Sequence, residues 1–178
     1  MKQSMLKAVA LTAMTMAMAV PAVQAADWNT IHTIESVNIA ASPEEAWAAV
    51  SRWNALESWC PVFVKTEITG GGAGVGSVRA ITIKDGPTFT EELLLLDSDT
   101  MTYRYKIIES PLPFVDYTST VKVRSIGGGN SQILWVGSYK RRDGDSTSPA
   151  AGDMAAEQLL TGVYKTCLSN AKKMLQAQ

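Results

Sequence analysis

The feature that most constrains this fold is one long amphipathic pattern near the C-terminal end, residues 148–175, in a chain otherwise dominated by strand-length runs. At about 100° per residue, Ala156, Leu159, Leu160, Val163, Tyr164, Cys167, Leu168, Ala171, Met174 and Leu175 fall within one half of a helix. Gln158, Lys165, Thr166, Ser169, Lys172 and Lys173 fall on the other half. An apolar arc that wide requires a large partner surface, and the preceding strands, curled into a sheet, are the only candidate. The expected class is therefore α+β, a curved sheet gripping one helix. Function then turns on whether the space between them is packed solid or left open for a ligand.

The first 25 residues stand apart from that fold. Lys2 and Lys7 precede an apolar or small run from Ala8 to Val20, and Val23 and Ala25 form a small-residue cleavage pattern. This is the layout of a secretory signal peptide, too short to span a bilayer comfortably. The reading places the start of the exported protein near Ala26, in the periplasm or outside the cell. Residues 26–178 then form one domain by size, large enough to bury about 70% of its unfolded surface. With Lys2 and Lys7 set aside from 16 basic residues against 17 acidic, the net charge is −3. No basic patch stands out, so nucleic-acid binding is disfavoured, and no further stretch approaches membrane-spanning length.

Cys60 and Cys167 are the two cysteines. In an exported protein an even number permits a disulfide, which here would close a loop worth at most about 4.7 kcal/mol in the chain-entropy view. Two buried thiols are the alternative, since Cys167 lies on the apolar arc of the last helix.

Residues 31–39 alternate weakly and read as a first strand. Ser42-Pro43-Glu44-Glu45 then announces a helix: Ser42 caps the Glu45 amide, Glu45 reaches back, and Pro43 suits the first helical position. Asn54-Ala55-Leu56-Glu57 repeats the cap-and-return pattern, predicting a second short helix to Trp59, ended by Cys60-Pro61. Six further runs rich in β-branched and aromatic residues follow: 62–67, 77–84, 88–97, 101–109, 117–126 and 131–140. Short turn segments separate them, which favours antiparallel neighbours. Ser148-Pro149, or Asp153, is placed to open the last helix.

Period-2 parity assigns the faces. Tyr103, Tyr105 and Ile107 share one face, as do Tyr117, Ser119, Val121 and Val123. Ile133, Trp135, Gly137 and Tyr139 share another, and Phe89, Glu91, Leu93 and Leu95 alternate with Thr90, Glu92, Leu94 and Leu96, where the apolar content does not decide the face. The inferred interior is aromatic and punctuated by hydroxyls, one glycine and, where Glu91 faces inward, one carboxylate. A purely structural core rarely keeps so many polar tips.

Element order and local wording together resemble the START-like (SRPBCC) superfamily with its helix-grip fold, in the branch labelled polyketide cyclase/dehydrase-like. The resembling residues run Ser42 to Val50, Leu56-Glu57-Ser58-Trp59-Cys60-Pro61, Thr90 to Asp97, Tyr103 to Pro113, and Asp116-Tyr117. The resemblance covers about residues 31–176. It implies seven antiparallel strands around the last helix and an apolar cavity between them. The cavity would open beside the connections at Asp85-Gly86-Pro87 and Ser110 to Pro113, so Pro87 and Pro111 join the expected ligand-binding residues. Plant abscisic acid receptors of this superfamily use those two connections as mobile flaps.

The expected cavity wall comprises Phe89, Glu91, Tyr103, Tyr105, Ile107, Tyr117, Ser119, Trp135, Tyr139, Ala156, Leu160 and Tyr164, with Val163, Cys167, Ala171 and Met174 anchoring the helix. An inward Glu91 needs a partner or a raised pKa; Tyr117, Tyr164 or a ligand hydroxyl are candidates, and an ordinary carboxylate at a watery mouth is the alternative. Arg79 and Arg104 could bind a ligand carboxylate, although Arg104 has outward parity. Trp47, Trp53 and Trp59 read as core support. His32 has no nucleophile or metal partner in sequence, and one histidine with two distant cysteines does not resemble a zinc set, so no metal or cofactor is expected. Gly70 to Gly76 lacks the Lys-Ser/Thr of a phosphate loop and precedes a strand, so it reads as a hairpin turn.

Two functions follow. The first is an exported protein binding a small apolar or amphipathic molecule, oriented by Glu91, Tyr117 and Tyr164. The second is a cyclase or dehydratase using the same cavity, with Glu91 and Tyr117 as the candidate acid and base. A lipid-handling or partner-binding module is a weaker third.

Overall fold

The computed structural model describes residues 30–72, 74–142 and 149–177, with side chains of the last segment from Met154 onward. The signal-peptide segment and the Ser148 and Asp153 caps lie outside these described features. The elements are β1 (Ile31–Ile39), α1 (Pro43–Val50), a 3-10 turn (Leu56–Ser58), β2 (Phe63–Gly70), β3 (Val78–Ile83), β4 (Thr88–Asp97), β5 (Thr102–Glu109), β6 (Phe114–Gly127), β7 (Asn130–Arg141) and α2 (Pro149–Gln176). All seven strands form one antiparallel sheet in the order β1-β7-β6-β5-β4-β3-β2. Short hairpins explain most of that order, and β1 closes it by pairing with β7 after the excursion through α1.

The start of α1 is specified locally. Ser42 is extended and accepts from the Glu45 amide, while Glu45 accepts from the Ser42 amide at 2.8 Å, so the capping box forms in full. The second helix is shorter than its pattern suggested. Only one 3-10 turn forms, with Ala55 rather than Asn54 at the cap and no side-chain capping bond. Ser58 Oγ donates to the Ala55 carbonyl at 2.6 Å, which occupies an acceptor that a longer helix would use, and Pro61 bars continuation.

The glycine-rich segment after β2 links it to β3, as a turn would. The strand at 117–126 begins three residues early, at Phe114, and Asp116 takes a positive φ of 54° where the β6–β7 register slips. β7 shows the simplest sequence logic: from Ser131 to Tyr139 every second residue is buried. In β4 the alternation breaks. Phe89, Glu91 and Leu93 are buried, but a register shift between Leu93 and Leu95 leaves Leu95 exposed, the effect of one extra residue in a ladder.

Helix α2 packs on β1, β7 and α1. Ala156, Leu160, Tyr164, Cys167, Leu168, Ala171 and Leu175 are buried, whereas Leu159 is exposed despite lying in the apolar arc. Gly162 is on the open side with nothing near a side-chain position. Cys60 and Cys167 form a disulfide, tying the segment after the 3-10 turn to the middle of α2. Among the described residues, no helix is long and apolar enough to cross a membrane.

Candidate functional site

Between the sheet and α2 lies an internal space of about 100 Å³. Its floor and walls are Leu56, Phe63, Phe89, Glu91, Tyr105, Phe114, Tyr117, Trp135, Leu160 and Tyr164, and its rim is the partly exposed Val62, Ile83, Ile107, Leu112 and Val163 with the exposed Leu159. Eight of the expected residues thus converge: Phe89, Glu91, Tyr105, Ile107, Tyr117, Trp135, Leu160 and Tyr164. Tyr103, Ser119, Tyr139 and Ala156 are buried but do not line the space, and Pro87 and Pro111 are exposed on the connections. Val163, expected as an anchor, stands on the rim instead.

The charge at this site is set by a cross-strand pair. Arg79 on β3 and Glu91 on β4 are direct partners in the ladder. Arg79 Nε and one terminal nitrogen donate to Glu91 Oε2 at 2.9 and 2.6 Å, and the other terminal nitrogen donates to the Trp53 carbonyl at 2.8 Å. The guanidinium lies 3.5 Å from the Trp53 ring centre, a stacked cation–π arrangement. Both residues are buried, at 1% and 3% exposure. Glu91 is therefore partnered by Arg79 rather than by a tyrosine, and Arg79 is committed to Glu91 rather than free for a ligand carboxylate. Arg104 is exposed. Burial pushes the Glu91 carboxyl above its usual range, while the Arg79 charge and hydrogen bonds oppose that shift. Since a guanidinium does not shed its proton, protonating Glu91 would strand a buried cation, so the pair is ionised at neutral pH.

A second polar group is built from phenols and an indole. Trp135 Nε1 donates to Ser119 Oγ at 2.8 Å and to Tyr105 Oη at 3.1 Å. Ser119 Oγ donates to the Val136 carbonyl at 2.9 Å and lies 3.3 Å from Tyr164 Oη, which is 2.5 Å from Tyr117 Oη. The Trp135 and Tyr164 rings stack with centres 4.1 Å apart and planes 9° from parallel. Gly137 makes this possible, because a β-carbon there would collide with the Tyr164 hydroxyl. Burial raises the Tyr103, Tyr105, Tyr117 and Tyr164 phenols, holding all four protonated.

Of the two expected flaps, the first is a tight turn, with the Gly86 amide donating to the Ile83 carbonyl at 3.1 Å. The second is tied down from β7's end. The Arg142 guanidinium donates to the Ser110 and Leu112 carbonyls at 2.6 and 2.9 Å, and its amide to the Pro113 carbonyl at 3.2 Å. Leu112, on this tether, is part of the rim. Trp53 and Trp59 are buried and His32 is exposed. Among the described residues, no group of three or more His, Cys, Asp and Glu side chains could hold a metal.

A seven-stranded sheet curled round one long helix, with an aromatic interior, defines a helix-grip protein of the START-like (SRPBCC), polyketide cyclase-like kind. The chain belongs to the family described as polyketide cyclase / dehydrase and lipid transport, which matches residues 30–176. Among solved structures, the protein XoxI from Bacillus cereus is similar at 27% identity and TM-score 0.71, covering 82% of this chain and 95% of that one. The Zhui aromatase/cyclase from Streptomyces sp. R1128 shares 16% identity at TM-score 0.71, over 83% and 94% of the two chains. Ara h 8.0201 shares 17% at TM-score 0.66, over 84% and 99%. The last two likenesses speak for the fold alone. No curated protein matches significantly.

Proposed function

We propose that this chain is an exported protein that binds a small apolar or amphipathic molecule between the sheet and α2. The observation that carries the reading is the internal space itself: apolar rings and aliphatic side chains line it, and its polar groups are few. Such walls supply affinity, while sparse polar groups fix orientation. At about 100 Å³ the space is well below the roughly 300–1,000 Å³ of pockets for drug-sized ligands. The molecule is accordingly compact, and a polyketide-length chain would require the rim at Leu112, Leu159 and Val163 to open.

The same geometry ranks binding above cyclisation or dehydration. A general acid or base needs a pKa near the working pH. Glu91 is held in an ion pair with Arg79, and the Tyr117 phenol is raised by burial and bonded to Tyr164. Export is supported by the signal-like first 25 residues and by the buried disulfide, a pairing that persists in oxidising compartments.

Native mass spectrometry of protein purified from the periplasm of an expressing bacterium tests both parts. The expected result is a chain beginning at Ala26 that carries a small bound molecule, released on denaturation. A chain that stays in the cytoplasm with Met1 intact would overturn export. A chain free of adduct that also takes up no apolar probe would overturn the binding reading.

A further inference from the structure

The binding reading says nothing about which polar group a ligand should carry, and one atom addresses that. Glu91 lines the internal space and its side chain is only 4% exposed. Both hydrogen bonds from Arg79 fall on Oε2; Oε1 accepts none from any described residue. Among the described residues, the sealed polar side-chain atoms without a partner are Trp59 Nε1, Thr66 Oγ1 and Ser131 Oγ; Glu91 Oε1 is not one of them, so it keeps an accessible face that a donor entering the space can reach. The other polar groups on the wall are engaged with one another: Tyr117 with Tyr164, and Trp135 with Tyr105 and Ser119.

The charge balance narrows the partner. Arg79 and Glu91 sum to zero, and the remaining polar lining consists of phenols and an indole. A cationic ligand would lose its hydration without meeting net negative charge, and an anion would face the bare carboxylate oxygen. We infer that the site selects compact apolar molecules bearing one uncharged hydroxyl, an alcohol or phenol, which donates to Glu91 Oε1. The inference rests on the binding reading above and adds its chemical selectivity. Arg79 acts here as a positioning residue, fixing the carboxylate through Oε2 and leaving Oε1 for the ligand.

Three probes of similar size separate the possibilities: phenol, toluene and benzylamine, which is cationic at neutral pH. Each is titrated into the disulfide-bonded protein and followed by amide NMR shifts at Glu91 and Ile107. Phenol is expected to bind at least about tenfold more tightly than toluene, the scale of one charge-assisted hydrogen bond, with benzylamine no tighter than toluene. Glu91→Gln should reduce that preference several-fold. Because that variant leaves Arg79 unpaired, the double replacement Arg79→Met with Glu91→Leu serves as a second test, removing both charges together; it should fold, bind toluene and show no preference for phenol. Equal binding of phenol and toluene by the parent protein would overturn the hydroxyl selectivity while leaving the binding reading intact. Tightest binding by benzylamine would overturn the neutral-donor assignment. Binding of none of the three would remove the cavity reading and this inference with it.

Discussion

Gly137 and Tyr164 are coupled through a single point of close approach. A methyl group at Gly137 would meet the Tyr164 hydroxyl and press on the Tyr117 ring at 3.4 Å. Gly137→Ala is therefore expected to destabilise the protein by about 1–3 kcal/mol, as overpacking does. Urea unfolding of Gly137→Ala alone and combined with Tyr164→Phe checks this: removing the hydroxyl should recover part of the loss, whereas additive losses would refute the coupling. Arg79 is a harsher case. Arg79→Met leaves the Glu91 carboxylate buried without its partner, at a cost of about 3–5 kcal/mol, also read from urea unfolding. An effect below about 1 kcal/mol would mean that the ion pair is not formed in solution. At this scale the sequence was partly informative. Parity groups Glu91 with Phe89 and Leu93 but the apolar content of that strand does not decide which face turns inward, and the turn at 84–87 holds the information that sets Arg79 opposite it. The sequence leaves Arg79 as a candidate for a ligand carboxylate, because a charged side chain says nothing by itself about its cross-strand neighbour.

The elements show where local patterns suffice and where packing overrules them. The capping box opened α1 where Ser42 and Glu45 demanded, because both partners are local. Asn54 offered the same signal and failed, since Ser58 and Pro61 closed the segment after one turn. In β4, Leu95 obeys the alternation on paper but is turned outward by a register shift that no composition reveals. Among the elements, the 3-10 turn and α2 depend on the disulfide for their covalent link. Replacing both Cys60 and Cys167 by Ser should lower stability by up to about 4.7 kcal/mol on loop-closure grounds, measured by urea unfolding. The connection from β5 to β6 depends on Arg142. Arg142→Ala should raise amide hydrogen exchange at Ser110 and Leu112 while leaving β7 protected; unchanged exchange would show that this tether does not restrain the flap.

Across the whole molecule, all five tyrosines are buried. Four have phenols raised above their ordinary value of 10.0 by loss of solvation. The unfolded chain loses those protons near pH 10 while the native protein retains them. Their contribution is thus fully present below pH 10 and is lost as pH rises from there toward the higher folded values. Phenolate absorbance should appear together with loss of sheet circular dichroism, in one alkaline transition; smooth titration of a folded protein would contradict the burial. The overall architecture was the most legible level, because seven strand-length runs and one broad amphipathic helix admit few arrangements. The size of the internal space was not legible, since it depends on how aromatic side chains of known parity fill the volume between two layers.

The Cys60–Cys167 bond also gives the molecule a covalent topology of its own. With the bonded residues 107 positions apart in sequence, β2 through β7 and the first part of α2 lie on a closed ring, while β1 and α1 form one tail and the end of α2 the other. The protein is a lariat. A single proteolytic cut on the ring, for example in the exposed turn at Gly71–Gly72, opens the loop without parting the chain; only a cut on a tail sheds a fragment. Nicked molecules should therefore run as two pieces after reduction and as one before it.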